Sequence, residues 1–215
     1  MRLVCISDTH SRHDKMSELP EGDVLIHAGD CTGAGHLFEI DDFTQWFGSQ
    51  PHKHKVLVAG NHDYSFQKLH PASTWAREMC EKNGISYLQD QAVVIEGVKF
   101  FGSPWTPFYR DMAFNSTEAE MAQHRALIPD DVEVLITHGP PWRIFDYVPR
   151  DAEHVGCYPL FQRIEQLNKL KAHVFGHIHE GYGFAQRESD GLKFANASTC
   201  TARYKPTNPP IIIDL

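Results

Sequence analysis

The sequence predicts an α/β fold, on three observations. Short apolar runs that read as buried strands end five times in Gly, Asp, Asn or His. Segments with helical spacing separate several of them. No repeat, low-complexity run or linker breaks the pattern, so residues 1–215 read as one domain.

The elements follow in order. Residues 2–7 (RLVCIS) form a strand that ends in DTHS, and 24–28 (VLIHA) a second that ends in GDCTGAG. Over 36–48, Leu37, Ile40, Phe43 and Phe47 fall at helical spacing, with Gly48 as the stop. Residues 55–59 (KVLVA) are a third strand, ending in GNHDY. A helix covers about 71–82, with Pro71 near its first turn and Gly84 just past its end. The texture then turns strand-rich, with runs at 86–88, 92–96 and 98–102 and Glu96-Gly97 as a hairpin turn. The NSTE of Asn115 to Glu118 reads as a capping box opening a helix to about 127. A strand at 132–136 (VEVLI) ends in THGPP, and a helix follows at about 159–170 with Pro159 near its start. The strand 172–175 (AHVF) ends in GHIHEGYG, and further strands read at 182–186, 192–196 and 210–214.

Composition narrows the function classes. Apolar residues make up 41% and charged residues 22%, as in a globular protein. No run of about 18 apolar residues spans a membrane, and the opening MRLVCISDTH lacks a signal-peptide apolar core. A cytoplasmic location is expected. The five cysteines are scattered, without a CxxC pair, and read as reduced buried thiols. A net charge of −8 argues against extended nucleic acid as a partner, because backbone binding needs clustered Lys and Arg.

Fourteen histidines are the unusual number. His13, His36, His52, His54, His70, His124 and His154 sit in polar, loop-like or helical context and read mostly as surface residues. His27 and His173 lie inside apolar strands and read as core. The rest join the strand ends: Asp8-x-His10, Gly29-Asp30, Gly60-Asn61-His62-Asp63, His138-Gly139 and Gly176-His177-x-His179. In open α/β sheets ligands bind beyond the carboxyl ends of strands, so five such ends in one sheet are expected to share a rim. Residues two apart in extended chain point the same way, which pairs Asp8 with His10 and His177 with His179. Imidazole, carboxylate and amide donors without a thiolate favour Mn, Fe or Zn in a non-structural site. Seven donors suit two divalent ions sharing one carboxylate, a centre that activates water against a phosphoryl group.

DTH, GD, GNHD, TH and GHIH in this order resemble the calcineurin-like metallophosphoesterases. THGPP, the Asp146 to Cys157 stretch, NASTC and the closing PTNPPIIIDL resemble the metallophosphoesterase-domain-containing subfamily, whose members look like phosphodiesterases. The resemblance implies a four-layer sandwich, two packed β-sheets flanked by helices, with a metal site at the rim. It implies Asp8, His10 and His179 on one ion, Asn61, His138 and His177 on the other, and Asp30 between them. His62, together with Asn61, would contact the phosphate, and His62 would protonate the leaving alkoxide. In some relatives a glycine stands at the position of His177; here the full set is present.

One departure bears on substrate. Protein phosphatases of this superfamily carry GDxVDRG, whereas this chain has GDCTGAG, without that Asp or Arg. The acidic partner of His62 is therefore not assignable, and Asp63 reads as structural. A dianionic monoester is well clamped by Arg; a monoanionic diester needs less. The expected reaction is hydrolysis of a small phosphodiester, cyclic nucleotides among them, on two divalent ions with Mn favoured. The alternatives are a phosphomonoesterase or nuclease on the same centre, or a catalytically weak scaffold for metal or nucleotide. Trp105, Phe108 and Tyr109, or Trp142, Arg143, Tyr147 and His154, are candidates to wall a substrate pocket. Asn196, Ser198 and Thr199 read as fold-stabilising.

Overall fold

The computed structural model describes residues 1–67 and 71–215. In chain order the first half holds β1 (Arg2–Ile6), β2 (Val24–Ala28), α1 (Leu37–Ser49), β3 (His54–Val58), α2 (Ser73–Lys82) and β4 (Ser86–Tyr87). The middle holds β5 (Gln91–Ile95), β6 (Val98–Ser103), β7 (Thr106–Pro107), β8 (Asn115–Ser116), α3 (Glu118–Ala126) and β9 (Val134–Thr137). The remainder is β10 (Tyr147–Val148), β11 (Glu153–His154), α4 (Tyr158–Ile164), β12 (Ala172–Phe175), β13 (Gly183–Gln186), β14 (Lys193–Asn196) and β15 (Ile211–Asp214).

The central strands are apolar without alternation because both of their faces are buried. In β1, Leu3 and Cys5 join a core between two sheets, while Val4 and Ile6 join a second core beneath α1 and α2. In β9, Val134 and Ile136 face the inter-sheet core and Leu135 faces a third core with Met121 of α3 and Leu160 of α4. The result is a helix–sheet–sheet–helix sandwich, as the sequence predicts. One sheet has the order β15-β1-β2-β3-β4, parallel except for β15. The other has the order β13-β14-β12-β9-β6-β5, with β14, β12, β9 and β6 parallel.

Several local readings change. The box at the start of α3 is Thr117 with Glu120, not Asn115 with Glu118; Asn115 is held in β8 against Thr106. The helix predicted over 159–170 stops at Ile164, and Leu167 and Leu170 are buried by turns instead. His13 and His52 are buried, not surface residues: His13 packs on Phe43 and Trp46, and His52 bonds the Pro20 carbonyl. His27 and His173 are core histidines, hydrogen-bonded to Thr9 and Thr137. His70 lies outside the described residues. No described helix is long and apolar enough to cross a membrane.

Candidate metal centre

Each group singled out by the sequence lies just past the carboxyl end of a strand. Asp8 and His10 follow β1, Asp30 follows β2, and Asn61 and His62 follow β3. His138 follows β9, and His177 and His179 follow β12. The ends are not on one sheet, as the strand-end pattern alone suggested. Three belong to the first sheet and two to the second. The site forms where two parallel sets open at the same rim, and a bridge between Ser7 and Ser198 stitches the sheets there.

The backbone is not extended at these residues either. Asp8 (φ 52°), His10 (φ 45°), Asp30 (φ 55°) and His177 (φ 69°) are all left-handed. This conformation costs a residue with a Cβ about 1–2 kcal/mol, although Asp and His tolerate it better than most. Bonds from the N–H of Asp8 to the Gly29 carbonyl (2.8 Å) and of His10 to the Asp30 carbonyl (3.0 Å) hold the curl. The paired side chains converge because the chain coils around the site, not because of strand pleating.

All seven candidate donors come together. Asp8, His10 and His179 each place a donor atom within 4.8 Å of the others, as do Asp30, His138 and His177. Asn61 Oδ1 lies 2.9 Å from His138 Nε2. Asp30 faces both halves, Oδ2 at 3.8 Å from His10 Nε2 and Oδ1 at 3.4 Å from His138 Nε2. His62 joins the cluster through His10 and Asp30, and its ring meets His10 edge-on at 4.7 Å. No further cluster of this kind occurs among the described residues.

Two rings are aimed by backbone carbonyls, which sequence could not reveal. His138 Nδ1 donates to the Ala28 carbonyl (3.0 Å) and His179 Nδ1 to the Thr201 carbonyl (3.1 Å). Each Nε2 is thereby turned to the centre, an arrangement common for metal-binding histidines. His179 Nε2 lies 3.2 Å from His10 Nε2 and 3.3 Å from Asp8 Oδ1. Lone pairs that face one another at this distance require a cation or a proton between them, so the donor set fits divalent ions. Asp8 is itself held by the Ser198 hydroxyl (3.0 Å) and the His177 N–H. Ser198, read as only fold-stabilising, therefore supports the site directly. Any Cβ at Gly176 would fall 2.0 Å from Asp8 Oδ2, and one at Gly60 2.3 Å from Asp30 Oδ1. Both positions require glycine for close approach.

Charge follows from the neighbours. Burial pushes the His10 and His177 rings down to about 4, so both are neutral near pH 7. Burial also opposes charge on His138, but the Asp30 carboxylate outweighs it and raises that ring to about 9. Burial disfavours the Asp8 and Asp30 carboxylates, yet the histidines around them hold both well below the usual range. A metal ion bound at His138 would have to displace that proton. Asp63 lies outside the centre. Its buried carboxylate accepts from the N–H groups of Gly60 and Thr32 and from the Thr32 hydroxyl, tying the β2 and β3 loops together.

The cleft above the centre, about 330 Å³, is walled by Phe108, Tyr109, Val148, Arg150, Val155 and Tyr204. Trp105, Trp142, Arg143, Tyr147 and His154 are not on its wall. Trp105 stacks on His124, Trp142 packs with Tyr158 and Phe161, Arg143 covers Trp142, and the exposed His154 pairs with the buried Asp146 at 2.6 Å. Tyr147 turns to His154. Tyr204, missed in the sequence, lies 4.9 Å from the His10 ring and 5.3 Å from the His179 ring. It sits in a loop far along the chain, and no local pattern marks it.

Comparison with known proteins agrees with the geometry. The family model for calcineurin-like phosphoesterases matches residues 1–181. Metallophosphoesterase domain-containing protein 1 of Homo sapiens is 41% identical over the whole of this chain and 71% of its own length. A UPF0046 protein of Caenorhabditis elegans is 35% identical over the whole chain and 81% of its length. Among solved structures, TT1561 of Thermus thermophilus superposes with a TM-score of 0.65 at 9% identity, covering 91% of this chain and 88% of that one. A putative 5'-nucleotidase from Staphylococcus aureus gives a TM-score of 0.56 at 11% identity, covering 99% of this chain and 53% of that one.

Proposed function

The chain belongs to the calcineurin-like phosphoesterase family, and on that premise we propose that it hydrolyses a small phosphodiester on two divalent ions. Asp8, His10 and His179 would hold one ion, Asn61, His138 and His177 the other, and Asp30 would be shared. Manganese is favoured because hard oxygen and imidazole donors mix without thiolate. The ions supply Lewis-acid charge and activate a water nucleophile. The protein's own groups do the rest. Asn61 and His62 orient the phosphate. His62 protonates the leaving oxygen, because its ring lines the cleft and Nδ1 is tied to the Gly33 carbonyl, which leaves Nε2 as the free nitrogen. Phe108, Tyr109 and Tyr204 offer flat apolar surface to an aromatic leaving group such as a nucleobase.

The observation that carries the diester reading is the charge of the cleft wall. Among the described residues lining it, Arg150 is the sole guanidinium and no lysine is present. Arg150 is largely exposed and occupied by Asp151 at 2.9 Å. Among the described residues lining the cleft, a dianionic monoester therefore meets no buried guanidinium or ammonium group. The test is a panel of aryl mono- and diesters and cyclic nucleotides, assayed after chelation and reloading with Mn, Fe or Zn. Diester turnover at least about tenfold above monoester turnover is expected. A preference for monoesters would overturn the reading.

A further inference from the structure

Among the described residues no carboxylate oxygen pairs with the His62 ring within 4.0 Å, although Asp30 stands within 4.8 Å. Its Nδ1 lies 2.7 Å from the Gly33 carbonyl oxygen. A carbonyl only accepts, so Nδ1 carries hydrogen and donates. A neutral carbonyl orients an imidazole less strongly than an anion does. The other end of the same peptide unit is the Ala34 N–H, and it donates to Glu39 Oε2 at 3.1 Å. Glu39 also accepts from the N–H groups of Gly33 (2.9 Å) and His36 (2.9 Å) and from the Ser11 hydroxyl (2.8 Å). Burial disfavours this carboxylate, but the His36 N–H, the Ser11 hydroxyl and the other donors outweigh it and hold the group below its ordinary range. It is an anion at neutral pH.

Helix capping accounts for one of these bonds. In the capping box of α1, Glu39 needs only the His36 N–H. The Gly33 and Ala34 bonds go instead to the loop that faces His62. A Cβ at Gly33 would come within 3.0 Å of Glu39 Oε1, so a carboxylate carried at position 33 and Glu39 in its place would crowd and repel each other.

We propose that Glu39 is the positioning residue for His62, acting through one peptide bond: imidazole Nδ1–H to the Gly33 carbonyl, and the Ala34 N–H to the Glu39 carboxylate. An anion on the N–H side polarises the amide and strengthens its carbonyl as an acceptor, by about 10–30% per bond in such chains. The same contacts stiffen a loop that contains Gly33 and Gly35. The ring is held with Nε2 toward the leaving oxygen. The proposal rests on His62 acting as the acid in the reaction proposed above.

The test uses the full chain, metal-reloaded, with Glu39→Gln and His62→Ala singly and together, on aryl methyl phosphodiesters of graded leaving ability. Glu39→Gln is expected to lower kcat about tenfold or more for poor leaving groups. The change for p-nitrophenolate is to stay within about threefold, with metal content and KM unchanged. In the His62→Ala background it is to add nothing. Ala34→Pro, which deletes the one N–H and keeps Glu39, is to reproduce the leaving-group dependence. Equal slowing of all esters, or effects that add to His62→Ala, would overturn the proposal and leave Glu39 a helix cap. The nitrogen-15 spectrum of the His62 ring in the metal-free protein decides the hydrogen bond apart from turnover. Nδ1 is to bear the proton, and its resonance is to move upfield in Glu39→Gln; an unmoved resonance would overturn the relay. Should no phosphoester turn over with any metal, the hydrolytic reading falls and this spectrum still decides the relay.

Discussion

His138 and His173 are both fully buried, one just past β9 and the other inside its parallel neighbour β12, yet their charge preferences are opposite. His138 looks into the rim at Asp30 and is raised to about 9. His173 looks into the body of the second sheet, bonds Thr137, and is pushed well below its ordinary value by burial and by the positive charge of Arg125. Burial is the same, so the neighbours decide. At the rim, the buried Asp30 carboxylate pairs with the His138 ring, while the neutral His10 and His177 add lone pairs that a cation would satisfy. In the body, His173 has the neutral Thr137 hydroxyl as its partner and stays neutral itself.

The largest break in this comparison comes from Asp30→Asn. Losing the shared carboxylate is expected to cut turnover about a thousandfold or more and to drop bound metal below two equivalents by elemental analysis. The His138 ring should then lose its raised pKa, because burial, which lowers it, is no longer outweighed by the Asp30 carboxylate. Turnover that stays unchanged would remove Asp30 from the centre. His62→Ala is expected to cost about a hundredfold in kcat while both metals remain; metal loss instead would make His62 a ligand.

Acidity sharpens the contrast next. His138 is raised, so in the metal-free protein its contribution is complete below about 6.5 and is lost as pH climbs through about 9. His10 and His177 are lowered, so their contribution is complete above about 6.5 and is lost as pH falls through about 4. Calorimetry on the metal-free chain should give highest stability near neutrality, with the basic limb on the order of 3 kcal/mol. Saturating manganese should flatten the basic limb below about pH 8.5, where the ion would replace the His138 proton; above that the buried thiols of Cys5, Cys31, Cys80 and Cys200, all raised by burial, add a loss that the metal leaves in place. A metal-free chain equally stable at pH 7 and pH 10 would contradict the role given to Asp30.

Smaller effects belong to the body and the wall. His173→Leu should cost about 1–2 kcal/mol in urea titration and leave turnover within about threefold, since the Thr137 hydroxyl keeps its bond to the Gly139 carbonyl. A collapse of activity would put His173 in the site. Arg150→Ala should raise KM by about threefold with kcat unchanged, as befits an exposed, paired cation. A kcat effect would bring that guanidinium to the reacting phosphate.

The sandwich was legible because β1, β2, β3, β9 and β12 are short, apolar throughout and followed at once by chemistry-bearing residues. Periodicity also found α1 and the Glu96-Gly97 hairpin, since both depend on neighbours in sequence. It misplaced the start of α3 and overextended α4, because a Thr117–Glu120 box and a string of turns read much like NSTE and a continuing helix. The donor types were readable for a similar reason: metal chemistry restricts which side chains serve, and a strand end puts them in a short window of chain.

Tertiary structure decided what those windows do together. It divided the strand ends between two sheets, and it curled Asp8, His10 and His177 into left-handed backbone where an extended chain had been expected, with Asp30 left-handed beside them. It buried His13 and His52, kept Trp142 and Tyr147 from the cleft, and brought Tyr204 to it. It also supplied the carbonyls of Ala28, Thr201 and Gly33 that aim three rings. A carbonyl carries no residue identity, and contacts across 100 residues or more leave no local period. Sequence by itself therefore determined which side chains this protein gathers at the rim, while only the packed sheets determined where each atom points and how it is charged.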